Sequence, residues 1–194
     1  MKTPGEQGRP AVFLDRDGTI IEDLGDLSQP SQVVFFDDTF QALRRLAPFF
    51  ALFIVTNQSG VAKGSISIQD VHRVNSYVQS RLAEEGVPIV ATYVCPHKRD
   101  EGCCCIKPSP YFLNKAACEH GIDLHRSYVI GDHPHDVVLA SHAGARGIYL
   151  LTGHGMQHRD EIPESASVAS GIREAAELIL QELKRSERLR ESNA

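Results

Sequence analysis

Short apolar blocks recur along this chain, and each one ends at a polar or glycine-rich loop. Ala11-Val12-Phe13-Leu14 stops at Asp15, residues 50–55 at Thr56-Asn57, 89–94 at Cys95-Pro96, 127–130 at Gly131-Asp132 and 148–151 at Thr152-Gly153. An unalternating apolar run of this length is what a strand covered on both faces requires. Helix-length segments lie between the blocks: 39–47 with Phe40, Leu43, Leu46 and Ala47 on one face, 67–85 with Val71, Val74, Val78 and Leu82 nearly in register, then 109–120 and 134–143. Strands that alternate with helices pair in parallel through right-handed crossovers. The expected fold class is therefore α/β, a doubly wound (Rossmann-like) parallel sheet with helices on both faces. We expect a single domain spanning residues 1–194, its core at about 11–155 and a C-terminal helix at about 171–190, with no cap domain large enough to cover a site.

The longest apolar stretches fall far short of the ~20 residues that a membrane helix needs. Residues 1–10 are polar and glycine-rich, unlike a signal peptide. With 20 Lys plus Arg against 25 Asp plus Glu, the net charge of −5 lacks the basic field that attracts a nucleic-acid backbone. These features predict a cytoplasmic protein, a monomer or small homo-oligomer, with neither membrane nor nucleic acid as a partner. Of 5 cysteines, four fall between Cys95 and Cys105, which suits a metal site in a reducing compartment. Cys118 stands apart and is expected to be a buried thiol.

In an open α/β sheet, ligands bind beyond the carboxyl ends of the strands, and three of those ends carry Asp15, Thr56 and Asp132. Asp15-Arg16-Asp17-Gly18-Thr19 sets two carboxylates two apart on a strand exit, where Gly18 permits a sharp turn and Thr19 is available to tie the loop down. Carboxylates crowded in this way repel, and a divalent cation relieves the repulsion. Oxygen-only ligation with room for a phosphate is the magnesium pattern. Thr56 and Lys107 would then face one phosphoryl group as hydroxyl donor and fixed positive charge. Taken alone, Asp-Gly-Thr is a turn signal; joined to the other strand ends it reads as a site. Residues 22–30, polar and too long for a tight turn, are expected to form a lid over it.

Four segments together resemble the motifs of the haloacid dehalogenase superfamily of phosphotransferases, over residues 12–155. They are Val12 through Thr19, Ile54 through Gly60, Lys107-Pro108, and Gly131-Asp132-His133-Pro134-His135-Asp136. The resemblance implies that Asp15 is a nucleophile forming an aspartyl-phosphate, and that Asp17 protonates the leaving alcohol and then deprotonates water. It also implies that Asp15, the backbone carbonyl of Asp17, and Asp132 hold magnesium, with Thr56 and Lys107 on the phosphoryl oxygens. Asn57, Gln58 and Ser59 are candidates to face a polyol substrate, with ordinary turn chemistry as the alternative. Asp136 has two readings, a partner that orients a metal-bound water or Lys107, and a helix-start cap.

Cys95-Pro96-His97 and Cys103-Cys104-Cys105 offer Cys-x-His and Cys-x-Cys, a ligand set suited to a closed tetrahedral structural zinc. Cys95, His97, Cys103 and Cys105 are the expected ligands and Cys104 the spare; a disulfide between neighbours would be strained. This pattern followed by Lys-Pro resembles a subgroup of the superfamily, small phosphatases that hydrolyse D-glycero-D-manno-heptose 1,7-bisphosphate or histidinol phosphate. The resemblance implies Mg2+ and Zn2+ as cofactors and a small phosphorylated metabolite as substrate. Residues 22–25 and 151–155 look more like the heptose enzymes, whereas the short gap between His97 and Cys103 looks more like the histidinol enzymes. Both groups usually carry Arg before the motif lysine, and here Ile106 stands there. A non-catalytic zinc-stabilised binding module is the competing class. His133, His135, His154 and His158 are expected to be mostly solvated, and residues 184–190 to form a solvated helix face.

Overall fold

The computed structural model describes residues 8–163 and 166–191; the reading of the N-terminal segment therefore lies largely outside the described residues, as does the side chain of Arg190. Among the described residues, six strands form one sheet in the order β3-β2-β1-β4-β5-β6, and every pairing between them is parallel. They are β1 (Ala11–Leu14), β2 (Ala51–Asn57), β3 (Ile89–Cys95), β4 (Tyr128–Gly131), β5 (Arg146–Leu150) and β6 (Ser167–Ala169). The helices are α1 (Thr39–Leu46), α2 (Gly60–Lys63), α3 (Ile68–Glu84), α4 (Tyr111–His120), α5 (Pro134–Ala143) and α6 (Ile172–Glu191). The expected α/β class with helices on both faces is what the chain forms.

The four residues of β1 are all buried because both faces of the sheet are covered. Val12 and Leu14 join Leu52 and Ile54 in a core that takes in Leu43 and Leu46 of α1, Val74 and Val78 of α3, and Ile179 of α6. Phe13, Phe53 and Val55 turn the other way, onto Leu113 and Ala116 of α4 and Leu139 and Ala140 of α5. Burying one such side chain contributes roughly 1.5–3 kcal/mol, so the two alternating half-strands stabilise both layers together. Helix α3 starts where Ser67 Oγ accepts from Asp70 N at 3.1 Å and Asp70 Oδ2 accepts from Ser67 N at 2.9 Å, a reciprocal cap.

Two departures from expectation have simple causes. Strand β6 has only three residues at the sheet edge, with Ser167 exposed, so its apolar signal is too short to read. Cys118 is exposed on α4, because the helical period buries Phe112, Leu113 and Ala116 and turns Cys118 outward. The expected solvated face is found at residues 184–189, all exposed. Among the described residues no helix is long and apolar enough to cross a membrane.

Candidate active site

The strand order reverses direction between β1 and β4, and the crevice at such a switch point lies beyond the carboxyl ends of those strands. Asp15 follows β1 and Asp132 follows β4; Thr56 and Asn57 end β2, and Cys95 ends β3. An open cleft of about 390 Å³ is lined there by Asp15, Asp17, Thr56, Lys107, Asp132 and Asp136, with Asn57, Gln58 and Ser59 along one wall.

Lys107 is buried, and its Nζ donates to Asp15 Oδ1 at 2.8 Å and Asp136 Oδ1 at 2.7 Å. Burial alone would lower its pKa, but the Asp136 and Asp15 carboxylates outweigh that and hold the ammonium charged. Asp15 Oδ1 also accepts from Arg16 N at 2.7 Å, so both of these bonds fall on the same oxygen. Asp136 satisfies both of its sequence readings: Oδ1 takes Lys107, and Oδ2 takes the backbone N of His133 at 3.3 Å in the capping box of α5. Room for that carboxylate comes from Gly131, where a Cβ would lie 2.2 Å from Asp136.

Asp132 Oδ2 accepts from His154 N at 2.8 Å. Burial first, and then the charge of Asp15, push its carboxyl up to about 7. Gly18, at φ +74°, passes directly over it, and a Cβ there would meet Asp132 Oδ2 at 2.1 Å. Carboxylate oxygens of Asp15, Asp132 and Asp136 lie within 4.8 Å of one another, and Asp136 is already engaged by Lys107. Hard oxygen donors crowded this closely fit a small divalent cation, which relieves their mutual repulsion.

Asp17 sits in a fork that sequence reading missed. Arg16, wholly buried, donates from Nε to Asp17 Oδ2 at 3.1 Å and from Nη2 to Oδ1 at 3.1 Å, while Nη1 donates to Asn75 Oδ1 of α3 at 2.6 Å. Gln58 Nε2 donates to Asp17 Oδ2 and to Thr56 Oγ1, both at 2.9 Å. Burial raises the pKa of Asp17 despite the opposing Arg16 charge, and Asp15 raises it further. The amide of Gln58 is thus spent on Asp17, and Asn57 Oδ1 accepts from Lys107 N at 3.3 Å, which fastens the lysine loop to β2. Ser59 lines the cleft at the start of α2.

Two expectations need correction, and a third gains detail. Thr19 does not tie the turn down: its Oγ1 is buried without a hydrogen-bond partner, and Thr152 Oγ1 instead donates to Gly18 O at 2.5 Å. His133 and His135 are not solvated but half-buried in the cleft wall, their rings stacked at 4.4 Å. Burial, then His135 and His158, lower the His133 pKa to about 4 and keep that ring neutral. Residues 22–30 do border the cleft through Asp23, Gly25 and Asp26, yet Leu27 is buried and anchors the segment to the core. Asp23 Oδ2 lies 2.9 Å from His154 Nε2, joining the segment to the opposite wall.

Cys95, His97, Cys103 and Cys105 converge beside this cleft. Their sulfur separations are 3.7, 3.2 and 3.8 Å, and His97 Nδ1 lies 3.7 Å from Cys95 Sγ and 3.4 Å from Cys105 Sγ. A tetrahedral zinc with bonds of ~2.3 Å to sulfur and ~2.0 Å to nitrogen has ligand edges of roughly 3.5–3.8 Å, so the four donors fit that ion. Cys104 is exposed and outside the cluster. Ile106 packs against the apolar core under α4, and the next residue is Lys107.

The HAD-hydrolase-like family model matches residues 104–177. A probable D-glycero-D-manno-heptose-1,7-bisphosphate 7-phosphatase of Thermoplasma acidophilum is 41% identical over 122 residues, covering 62% of this chain and 76% of that protein. The D-glycero-beta-D-manno-heptose-1,7-bisphosphate 7-phosphatase of Helicobacter pylori J99 is 37% identical over 144 residues, 73% of this chain and 83% of its own. A crystal structure of D,D-heptose 1,7-bisphosphate phosphatase from B. bronchiseptica, complexed with magnesium and phosphate, superposes with a TM-score of 0.82 at 30% identity, covering 89% of this chain and 99% of that one. Sequence relatives, shared fold and the converging carboxylates agree, and the chain belongs to the haloacid dehalogenase-like family of hydrolases.

Proposed function

We propose that this phosphatase removes the 7-phosphate of D-glycero-D-manno-heptose 1,7-bisphosphate through an aspartyl-phosphate on Asp15, with magnesium in the cleft and zinc in the Cys/His cluster. The observation that carries the reading is Asp15 held by buried Lys107 beside Asp132 and Asp17, in a chain whose relatives at 30–41% identity bear that activity. Histidinol phosphate is the second reading, favoured by the short gap between His97 and Cys103.

Asp15 attacks phosphorus with the carboxylate oxygen that Lys107 and Arg16 N leave unengaged, and the bond from phosphorus to the sugar oxygen breaks. Asp17, whose pKa burial has raised, passes its proton to that departing oxygen. The resulting Asp17 carboxylate then takes a proton from water, which attacks phosphorus and frees phosphate and Asp15. Lys107 and Thr56 Oγ1 face the equatorial oxygens, where charge builds up. Asp15, Asp132 and the Asp17 carbonyl would hold magnesium, which when bound supplies positive charge to the phosphoryl group.

Asn57 and Gln58 act as positioning groups, one for the Lys107 backbone and one for Asp17, while Ser59 remains available to a polyol. Cys95, His97, Cys103 and Cys105 would hold zinc and so stiffen the loop that delivers Lys107. The chain works as one domain in the cytoplasm, as a monomer or small homo-oligomer, on a small phosphorylated sugar. The test is phosphate release with magnesium across both anomers of heptose 1,7-bisphosphate, histidinol phosphate and a panel of sugar and nucleotide monophosphates. A preference of at least about tenfold in kcat/KM for one heptose anomer is expected. Equal low rates across the panel would remove the heptose assignment.

A further inference from the structure

The cleft that receives the phosphoryl group is rich in carboxylates, and its one buried cation, Lys107, is committed to Asp15 and Asp136. Two further cations line the same cleft at its exposed rim, Arg99 and Lys63. Neither is paired with a carboxylate among the described residues, and Ile106 brings no charge because it packs into the core. We propose that Arg99 and Lys63 form a second anion subsite, which holds the phosphate that is not cut.

The two cations belong to one stiffened unit. Arg99 lies on a 3-10 turn (Arg99–Glu101) inside the loop that the Cys/His cluster closes, between His97 and Cys103. Lys63 ends α2, and that helix is fastened to the root of the same loop: Gln58 N donates to Cys95 O at 2.7 Å and Ala62 N to Pro96 O at 3.2 Å. Arg99 also crosses to the far wall, where Nη2 lies 3.4 Å from His135 Nδ1 at the start of α5. A guanidinium so placed spans the mouth from the β3 loop to α5, with its remaining N–H donors free for a phosphate. In a cleft of about 390 Å³ with the reacting carboxylates at its floor, a substrate anionic at one end only would leave these two rim charges unused.

This subsite rests on the reading that the substrate is a bisphosphate, and the experiment separates the two claims. Steady-state kinetics of wild type, R99Q, R99K and K63Q are compared on heptose 1,7-bisphosphate and on heptose 7-phosphate, with melting temperatures to confirm folding. R99Q should lower the ratio of kcat/KM between bisphosphate and monophosphate about tenfold, mainly through KM, as expected for one lost charge-assisted contact. R99K should recover part of that ratio, and K63Q should lower it by a smaller factor. An unchanged ratio in R99Q, with heptose bisphosphate still consumed, would overturn the subsite and leave the heptose reading standing. Should wild type ignore both heptoses, the comparison is run on a hexose bisphosphate and its monophosphate. A lowered ratio there would uphold the subsite while the heptose reading fell, and an unchanged ratio would overturn the subsite as well.

Discussion

Two clusters of potential metal ligands lie side by side in this molecule, and they are built in opposite ways. Asp15 follows β1, Asp132 follows β4 and Asp136 lies in the first turn of α5; 117 residues separate 15 from 132, and the parallel pairing of β1 with β4 brings them together. Cys95 ends β3, and His97, Cys103 and Cys105 lie in the short loop that follows it, so the four meet within eleven positions of the chain. The acidic cluster is therefore a product of the fold, paired by Lys107 and capped by α5. The sulfur cluster shapes a loop, and its output is the position of Lys107, two residues beyond Cys105. On the proposed reading, the chemistry resides in the first cluster and its delivery in the second.

Substitutions in the acidic cluster should have the largest effect. D15N keeps the shape but loses the nucleophile, and turnover should fall by roughly 10⁴-fold or more, read as phosphate release. K107M should cost about 10²–10³ in kcat, since it removes the buried cation that pairs Asp15 and Asp136. If K107M kept wild-type kcat, the link between the two clusters would be broken.

Damage to the sulfur cluster should be milder in rate and clearer in stability. C105S, or zinc removal by a chelator, should lower kcat by about tenfold and the melting temperature by at least about 5 °C. A rate loss as deep as that of D15N would erase the distinction between chemistry and delivery; an unchanged melting temperature would remove the structural role.

The pH dependence of magnesium binding sharpens the acidic half. Without a cation, burial and the charge of Asp15 hold the Asp132 carboxyl up at about 7, and only the ionised form is a ligand. Magnesium affinity measured by calorimetry should be flat above that pH and weaken below it, by up to about tenfold per unit. Affinity that stayed constant down to the ordinary carboxylate range would show that Asp132 is not the group titrating. The smallest effects belong to the cysteines outside the cluster. C104S and C118S are both at exposed positions and should shift stability by less than about 0.5 kcal/mol in a denaturant titration.

Much of this arrangement is legible in the chain. Strands β1, β2 and β4 announce themselves because burial on two faces demands unbroken apolar runs, β3 and β5 keep such runs though they are only partly buried, and the polar residues that follow β1, β2 and β4 line the cleft. Asp15, Thr56 and Asp132 follow from that rule alone, and the Lys-Pro pair and the Cys/His spacing add Lys107 and the sulfur cluster. What stays hidden depends on contacts between distant segments. Arg16 looks like an ordinary surface cation until α3 brings Asn75, 59 residues away, against its guanidinium. His133 looks solvated until the stacking of His135 and His158 around it is known. Thr19 looks like the natural tether of its turn, yet Thr152, 134 residues from Gly18, makes that bond. Arg99 reads as one more loop charge, because only the closed sulfur cluster turns its segment toward the cleft.

The most direct test of the account is to find where the phosphoryl group goes. Wild-type enzyme turning over substrate with magnesium is quenched in acid, digested, and its peptides are weighed. The account predicts the mass of one phosphoryl group on the peptide that contains Asp15, and its absence in D15N. A phosphorylated peptide from another segment, or the same adduct persisting in D15N, would contradict it.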